Sequence, residues 1–333
     1  MADGSATIKD YIQAVRPQNS MLTALATALP VLIVDQALTL RVFELLLLGF
    51  LLNSTASIHN NITDFSYDMK VSYTSDRVVG TRIPMRTAKA LYATLLLIAL
   101  SLGIFLAGFN PLDFHPNPWA LLALFFTAGI VSAYNLYGKT HFIWGICISL
   151  GIASLVWYGA ILSGSMSNVA IFIIVYLALQ SGFMQNLEGG LKDVATDVSN
   201  MAAFFGVRSN GKALQVSATF MAATHGLKLV MSALVFYILY ATVGLLHPVA
   251  FFIYLLTAIS FVVIQILLNF KTFERAKIIR FFGFHEALIW LVVPAVIFPI
   301  IGIWLSLFVA LLPLVFYVIY NRSVHGTMLV PDI

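Results

Sequence analysis

Runs of about 20 apolar residues recur along the chain, and this repetition limits the possible fold more than any single motif does. An α-helix needs about 20 residues to cross the hydrocarbon core of a bilayer. The predicted spans are 20–37, 41–63, 87–108, 118–137, 142–163, 168–189, 212–245, 248–270, 283–301 and 303–320. The last two runs are short and contain Pro294, Pro299 and Pro313, so the predicted count is nine or ten.

The composition points the same way. Hydrophobic residues make up 60% of the 333 residues and charged residues only 10%, whereas soluble domains have roughly 25% charged residues. Strand-like alternation of polar and apolar residues is absent, which disfavours a transmembrane β-barrel. We therefore predict an all-α, polytopic membrane helical bundle. No internal repeat or low-complexity linker divides the chain, so residues 1–333 are expected to form a single domain.

The basic residues predict how the spans are oriented. Cytoplasmic connections carry an excess of Lys and Arg, and here only Arg41 falls on the opposite side while Lys228 lies within the seventh span. Both termini are therefore expected in the cytoplasm. At roughly 34 residues the seventh span is too long for one crossing. We expect a break near His225 and Gly226 that brings Lys228 towards the membrane surface, where its ammonium group could snorkel to water.

The residues before the first span predict a surface helix. Four apolar residues at helical spacing form one stripe that can lie on the membrane, with Asp10 and the neighbouring basic residues facing outward. The stripe consists of Ile8, Tyr11, Ile12 and Val15. Arg16 and Pro17 then open the first membrane span.

Polar residues gather where two of the spans end. Asn60, Asp64 and Asp68 recur every four residues, and Asp193 and Asp197 repeat this spacing in a second stretch. Residues four apart share one face of an α-helix. Because an Asp at the centre of a membrane helix costs on the order of 2.5–3.5 kcal/mol, two such pairs indicate one shared site. The alternative is that these residues are solvated helix ends beside loop lysines.

Paired carboxylates suggest a magnesium site. Mg²⁺ is held by one or two protein carboxylates while substrate phosphates complete its shell. Carboxylates alone would repel a phosphate by about 4 kcal/mol per charge pair at 4 Å, and a divalent ion reverses that sign. Several basic residues could contact the remaining phosphate oxygens, although the cytoplasmic bias explains each equally well. They are Lys70, Arg77, Arg82, Lys139 and Lys192.

Together, the two motifs resemble those of the UbiA superfamily of intramembrane prenyltransferases. The first is Asn60-x-x-x-Asp64-x-x-x-Asp68, and the second is Lys192-Asp193-x-x-x-Asp197. Further similar elements are Arg16-Pro17-x-Asn19 and Tyr134 followed by Lys139. Asp64-Phe65-Ser66 and Asp76-Arg77 resemble the menaquinone-biosynthesis branch in particular.

The resemblance implies a bundle around a central cavity, capped by cytoplasmic loops at about 64–87 and 190–211. It implies that Mg²⁺ binds an isoprenyl diphosphate, with the carboxylates serving as metal ligands and catalytic residues: Asp64, Asp68, Asp193 and Asp197. The implied diphosphate-binding residues are Asn60, Lys70, Arg77, Tyr134, Lys139, Asn186 and Lys192. The other expected partners are an apolar or aromatic acceptor and membrane lipid, and no nucleic acid is expected.

One departure from the family pattern leaves the second site open. Gly190 stands where the family pattern has a further Asp, so either this cluster has fewer metal ligands or Glu188 compensates. Three functions follow: prenyl transfer to a quinone precursor or lipid, intramembrane terpene cyclisation without an acceptor, and transport. Charges gathered at one membrane face, without a visible inverted repeat, argue against a transporter.

Overall fold

The structure is a computed structural model that describes residues 6–69, 78–110, 113–197, 199–210 and 212–326. Within these ranges, nine helices are long and apolar enough to cross a membrane. The protein is therefore an all-α, polytopic membrane helical bundle, as predicted. Two short hairpins lie outside the spans and pair β1 (Phe109–Asn110) with β2 (Asp113–Phe114) and β3 (Arg208–Ser209) with β4 (Leu214–Gln215).

The helices follow the order of the predicted spans. The first six are α1 Ile8–Val15, α2 Pro17–Asp35, α3 Leu40–Thr63, α4 Phe65–Asp68, α5 Met85–Leu106 and α6 Pro118–Tyr137. A 3₁₀ turn, Phe142–Gly145, precedes α7 Ile146–Leu162, and a π-helical turn, Gly182–Glu188, links α8 Asn168–Ser181 to α9 Gly189–Leu191. The remainder are α10 Met201–Phe204, α11 Ala218–Thr242, α12 Pro248–Leu268 and α13 Arg275–His325.

The described residues form two compact units. The first unit lies within Met1–Leu136, Ser154–Ser165 and Leu311–Ile333, and the second within Tyr137–Ala153 and Met166–Ala310. The single functional domain and the central cavity stay predictions.

The core of the first unit depends on small residues that let helices approach closely. A Cβ atom on Gly49 of α3 would lie 2.7 Å from Cα of Ala24 on α2. A Cβ atom on Gly159 of α7 would lie 2.1 Å from the carbonyl oxygen of Thr27. Membrane helices lack a hydrophobic driving force between them and therefore rely on such close backbone packing.

Large apolar side chains remain exposed on the protein surface, including Leu97, Trp119, Tyr240 and Trp304. On a soluble protein a large exposed apolar surface would mark an interaction site. On a bundle of membrane-spanning helices these side chains match the surrounding lipid.

The prediction for the seventh span is wrong in two respects. The segment after residue 206 first forms the β3–β4 hairpin, and α11 begins only at Ala218, where the Ser217 hydroxyl accepts a hydrogen bond from the amide of Phe220 at 3.0 Å. The helix then continues through His225 and Gly226 without a break. Because the hairpin uses the first residues, the remaining helix has an ordinary length for one crossing.

Lys228 does not reach the membrane surface, so the expected snorkelling is also wrong. Its side chain is 4% exposed, and Nζ lies 5.9 Å from the ring centroid of Phe261 on α12. Lys228 is about three turns from the start of α11, which places its charge inside the span.

The predicted boundary between the last two spans is confirmed. Within α13, Gly302 has φ 75° and ψ 177°, a backbone conformation outside the helical region. Only glycine adopts it readily, because it has no Cβ atom. The parts 275–301 and 303–325 are each longer than the roughly 20 residues that a crossing needs.

The predicted N-terminal helix is present as Ile8–Val15, and its placement on the membrane surface stays a prediction. The outward orientation predicted for Asp10 is wrong, since this residue is 2% exposed, while Ile8 of the apolar stripe is 81% exposed. Asp10 forms a capping box with Thr7, in which its carboxylate accepts hydrogen bonds from the Thr7 amide and hydroxyl in the first turn of α1. These hydrogen bonds, together with Arg82 Nη1 at 2.8 Å from Asp10 Oδ1, offset the burial of the carboxylate.

Candidate functional site

The first acidic cluster lies in the first unit, where α3 ends. The amide of Asp64 donates to the carbonyl of Asn60 at 2.9 Å, and the amide of Asp68 donates to the carbonyl of Asp64 at 2.8 Å. The predicted four-residue spacing is therefore present in the backbone, although Asp64 separates α3 from the short helix α4. The Asn60 side-chain amide donates to Asp64 Oδ2 at 3.0 Å. Both carboxylates are buried.

Asn61 has a different role from its neighbour Asn60. Its Oδ1 accepts a hydrogen bond from Arg16 Nη2 at 3.2 Å, and its Nδ2 donates to the carbonyl of Ala14 at 3.2 Å. Arg16 has a left-handed backbone (φ 53°) between α1 and α2. Asn61 thus holds the junction between α1 and α2, where the predicted Arg16-Pro17 motif begins the first membrane span.

The second acidic cluster lies in the second unit, after the π-helical turn. The amide of Asp197 donates to the carbonyl of Asp193 at 2.8 Å, so the spacing of the first cluster is repeated. Lys139 Nζ lies 3.5 Å from Asp197 Oδ2. The hydroxyl of Ser199 lies 2.8 Å from both Asp197 Oδ1 and the Lys139 carbonyl oxygen. Two of the predicted diphosphate-site residues, Lys139 and Asp197, are therefore in contact.

Asp193 lies between two cations. Lys192 Nζ is 3.5 Å from its Oδ2, and Arg275 Nη2 is 3.5 Å from its Oδ1. Ion pairs of this length that are partly exposed contribute about 0–1 kcal/mol to stability, so stability does not account for the arrangement. Together with Lys139 and Asp197, these side chains carry one net positive charge, which favours an anionic ligand.

The contact of Arg275 with Asp193 was not predicted from the sequence. Arg275 begins α13 and is 82 residues from Asp193 in the chain, so no local spacing connects the two residues. The only signal in the sequence was its place among the basic residues at one membrane face. That signal does not distinguish a site residue from a residue that merely orients the span.

Asn186 connects the acidic stretch to the loop that follows Lys139. It lies in the π-helical turn, and its Nδ2 donates to the carbonyl of Gly145 at 2.9 Å. A Cβ atom on Gly145 would lie 2.4 Å from Asn186 Oδ1, so the contact depends on glycine there. The predicted role of Asn186 towards a diphosphate stays a prediction.

Glu188 does not join the carboxylates of Asp193 and Asp197. Its Oε1 and Oε2 lie 2.7 Å and 2.9 Å from Nδ1 of His285. Both side chains are buried, at 1% and 0% exposure. The geometry therefore favours fewer ligands in the second cluster over compensation by Glu188.

The structure does not test the roles predicted for three further residues. Tyr134 lies half-buried near the end of α6. Lys70 and Arg77 lie outside the described residues, as does Asp76 of the branch-specific pattern. Their assignments stay predictions.

Within the described ranges, no three His, Cys, Asp or Glu side chains are grouped closely enough to hold a metal ion by themselves.

The architecture defines a class of protein: a polytopic helical membrane protein with acidic clusters where two spans end. No protein-family model and no curated protein sequence matches the chain. Solved structures do match. The chain is 18% identical to a UbiA homologue from Archaeoglobus fulgidus bound to GPP and Mg²⁺, with a TM-score of 0.61 over 86% of this chain and 99% of that one.

Two further structures agree. An apo UbiA homologue from Aeropyrum pernix gives a TM-score of 0.61 at 18% identity, over 86% of this chain and 98% of that one. A digeranylgeranylglyceryl phosphate synthase gives a TM-score of 0.57 at 16% identity, over 88% of this chain and 98% of that one. At this level of identity the likeness establishes the fold, and the chain has the fold of UbiA homologues.

Proposed function

We propose that the protein is a Mg²⁺-dependent intramembrane prenyltransferase. It would transfer the isoprenyl group of an isoprenyl diphosphate to a membrane-associated acceptor. The observation that carries this proposal is the shared fold with a UbiA homologue bound to GPP and Mg²⁺, in a chain with two Asp-x-x-x-Asp pairs at the ends of its spans. The menaquinone-like details of the first motif suggest a quinone precursor as one acceptor class, with a lipid as the other.

The four aspartates fit the proposed metal. Asp64, Asp68, Asp193 and Asp197 offer only carboxylate oxygens, which are hard ligands suited to Mg²⁺. When bound, Mg²⁺ would neutralise the negative charge that gathers on the diphosphate as it leaves. The sets of two carboxylates leave coordination positions for the phosphate oxygens.

The basic residues of the second unit would bind the diphosphate. Lys139, Lys192 and Arg275 surround Asp193 and Asp197 at 3.5 Å, and each can exchange that weak contact for a phosphate oxygen. Charge-assisted hydrogen bonds to phosphate are stronger than exposed ion pairs. In the first unit Asn60 holds Asp64, and we assign Lys70, Arg77 and Tyr134 to the same ligand from their motif positions.

The reaction would proceed by cleavage of the bond between the allylic carbon and the diphosphate oxygen. The bonding electrons leave with the diphosphate, and the allylic carbon becomes electron-deficient. The acceptor then forms a new bond to that carbon and releases a proton. The apolar spans exclude water, so the carbon is not quenched before the acceptor reaches it. The site would face the cytoplasm, as the distribution of basic residues indicates.

The test is release of diphosphate by the purified protein in nanodiscs with Mg²⁺ and geranyl, farnesyl or geranylgeranyl diphosphate. 4-Hydroxybenzoate and a glyceryl phosphate lipid serve as probe acceptors. Release only with an acceptor supports the proposal, whereas release without one supports a cyclase. Asp64→Asn and Asp193→Asn should abolish release.

The matched control is Asp35→Asn, an exposed acid at the opposite end of α2 from Arg16. It should retain full activity. If no chain length gives Mg²⁺-dependent release, or if the Asp64 and Asp193 variants release diphosphate at the wild-type rate, the proposal is wrong.

A further inference from the structure

After Asp197, the chain of the second unit folds back onto the stretch that precedes the second acidic cluster. Residues 199–205 make this reversal and include α10, and we refer to them as the return segment. Its first residue, Ser199, contacts both Asp197 and the loop of Lys139. Lys139 is exposed and Ser199 is partly exposed. The return segment therefore begins beside groups that a ligand from solution can reach.

Ser199 holds one oxygen of the Asp197 carboxylate. Its backbone amide donates to Asp197 Oδ1 at 3.1 Å, and its hydroxyl donates to the same oxygen at 2.8 Å. The other oxygen, Oδ2, has a longer contact, at 3.5 Å from Lys139 Nζ. Ion pairs of this kind are weak when they are partly exposed. A cation can therefore replace Lys139 at Oδ2 while Ser199 keeps Oδ1 in place.

The hydroxyl of Ser199 also connects Asp197 to the chain that carries Lys139. It lies 2.8 Å from the Lys139 carbonyl oxygen. A serine hydroxyl has one proton, so these two acceptors share a single donor. A local turn at Asp197 needs no partner 60 residues away in the chain. The contact therefore has a role beyond closing the turn, since it joins a proposed metal ligand to a proposed phosphate-binding residue.

The side chain of Asn200 holds the return segment in place behind Ser199. Its Nδ2 donates to the carbonyl of Gly190 at 3.1 Å, and its Oδ1 accepts a hydrogen bond from the amide of Ala203 at 2.9 Å, at the start of α10. A Cβ atom on Gly190 would lie only 3.0 Å from Cβ of Ala202. The absence of a side chain at position 190 therefore lets the segment pack this closely.

An aromatic pair connects the far end of the return segment to the turn after Lys139. The rings of Phe204 and Phe142 are stacked, with centroids 3.6 Å apart and planes inclined by 17°. Stacked aromatic rings attract each other beyond the area that they bury. Phe204 is 57% exposed, so packing in a closed core does not explain its position. The return segment is thus joined to the Lys139 loop at both of its ends.

We propose that Ser199 is a positioning residue for the metal-binding side of the diphosphate site. This inference rests on the proposed prenyl transfer. Ser199 acts through Asp197, whose Oδ1 it anchors so that Oδ2 is left for Mg²⁺, and it keeps Lys139 beside the same ligand. Hydrogen bonds to a carboxylate that binds a metal orient that carboxylate, and their loss lowers metal affinity by about 10- to 100-fold.

The experiment titrates geranyl diphosphate into the protein in nanodiscs by calorimetry, at a series of Mg²⁺ concentrations. Ser199→Ala removes the hydroxyl and should need about 10- to 100-fold more Mg²⁺ for half-maximal binding. Ser199→Thr keeps a hydroxyl and should restore binding at low Mg²⁺. The control is Thr140→Ala, which removes an exposed hydroxyl that donates to the Tyr137 carbonyl. It should keep the Mg²⁺ dependence of the wild type.

Saturating Mg²⁺ separates this role from a direct contact with phosphate. It should restore geranyl diphosphate binding in Ser199→Ala but not in Lys192→Gln, which removes a cation of the site. A second readout, independent of turnover, replaces Mg²⁺ by Mn²⁺, which takes the same oxygen ligands. Bound Mn²⁺ is counted by electron paramagnetic resonance in the presence of inorganic diphosphate, and Ser199→Ala should bind less Mn²⁺ at subsaturating concentrations.

A variant at the far end of the return segment tests the same inference without changing Ser199. Phe204→Leu removes the ring that stacks on Phe142 and should shift the Mg²⁺ dependence in the same direction as Ser199→Ala. The matched control is Phe251→Leu on α12, since Phe251 is also 57% exposed and its substitution should leave the Mg²⁺ dependence unchanged. Phe204→Leu decides the question if Ser199→Ala does not fold.

Monodisperse elution and a single thermal transition show that a variant is folded. If the wild type binds geranyl diphosphate with Mg²⁺ and folded Ser199→Ala has the same Mg²⁺ dependence, this inference alone is wrong. It is also wrong if folded Ser199→Thr binds as weakly as Ser199→Ala. If the wild type shows no joint binding of Mg²⁺ and an isoprenyl diphosphate, the proposed function and this inference both fail.

Discussion

Asp10 of α1 and Arg82, just before α5, form an ion pair in which Arg82 Nη1 lies 2.8 Å from Asp10 Oδ1. The same turn of chain carries Val78, Val79 and Ile83, which pack with Ala14 of α1 in one apolar cluster. A Cβ atom on Gly80 of this turn would lie 2.2 Å from the ring of Phe65. The N-terminal helix is therefore connected, through one turn, to the helix that begins next to Asp64.

Asp10→Asn should destabilise the protein by about 1–2 kcal/mol near neutral pH, since it removes a charged acceptor and a helix cap. The hydrogen bonds from Thr7 lower the pKa of the Asp10 carboxyl, as does Arg82 to a lesser extent, against the opposing effect of burial. A folded-state pKa below the unfolded value contributes stability that is present above about pH 4 and is lost as the pH falls through the folded pKa.

Thermal unfolding of both proteins between pH 3 and 7 measures this contribution. The difference in midpoint should shrink towards acidic pH. Asp35→Asn, which removes an exposed carboxylate, is the control. A difference that stays constant over the whole range would contradict the assignment of the effect to the charge of Asp10.

Gly145→Ala should displace Asn186, because the new methyl group would overlap Asn186 Oδ1 at 2.4 Å. Overpacking of this kind costs about 1–3 kcal/mol, and we expect weaker diphosphate binding since the same contact connects the Lys139 loop to the Asp193 stretch. Unfolding and calorimetric titration measure the two effects. Gly129→Ala is the control, since nothing lies within 4 Å of its Cβ position. Equal behaviour of the two variants would refute the role of the contact.

Arg275→Gln should weaken geranyl diphosphate binding by about 10- to 100-fold. The loss corresponds to one charge-assisted hydrogen bond of about 1.5–3 kcal/mol. The affinity of Arg275→Lys should lie between those of the wild type and Arg275→Gln, because lysine keeps the charge but lacks the planar guanidinium fork. Lys277→Gln removes the same charge two residues later, where Nζ lies over the ring of Phe270 at 4.8 Å. If Arg275→Gln and Lys277→Gln lose equal affinity for geranyl diphosphate, only the overall charge at the start of α13 matters.

Magnesium should stabilise the protein strongly only together with diphosphate, since each proposed pair of aspartates supplies two carboxylates and phosphate oxygens would complete the shell of the ion. When Mg²⁺ and diphosphate bind together at 100 times their dissociation constant, the free energy of unfolding rises by about 2.7 kcal/mol. The shift in thermal midpoint with Mg²⁺, inorganic diphosphate, both, and both plus EDTA measures this. Asp193→Asn should remove the joint shift while Asp35→Asn keeps it. A full shift with Mg²⁺ alone would show a site built entirely from protein ligands.

The spans were predictable because hydrophobic length is a local property. Neighbouring residues in the sequence explain three features: the break at Gly302, the helix start at Pro17 and the spacing of Asp64 with Asp68. The start of α11 was missed because Ala213, Leu214 and Val216 extend the apolar pattern of the helix to residues before the Ser217 cap. The contacts of Arg275 with Asp193 and of His285 with Glu188 could not be found from the sequence, because residues from distant segments meet only after the helices have packed.

The π-helical turn Gly182–Glu188 has about one residue more per turn than an α-helix, and only α9 and Lys192 separate it from Asp193. Deleting that extra residue would rotate the side chains that follow it by about 100° about the helix axis. The direction in which the chain enters the Asp193 turn therefore depends on the number of residues in the π-helical turn. Relatives could redirect this site by a single insertion or deletion, a change that tables of point substitutions would never register.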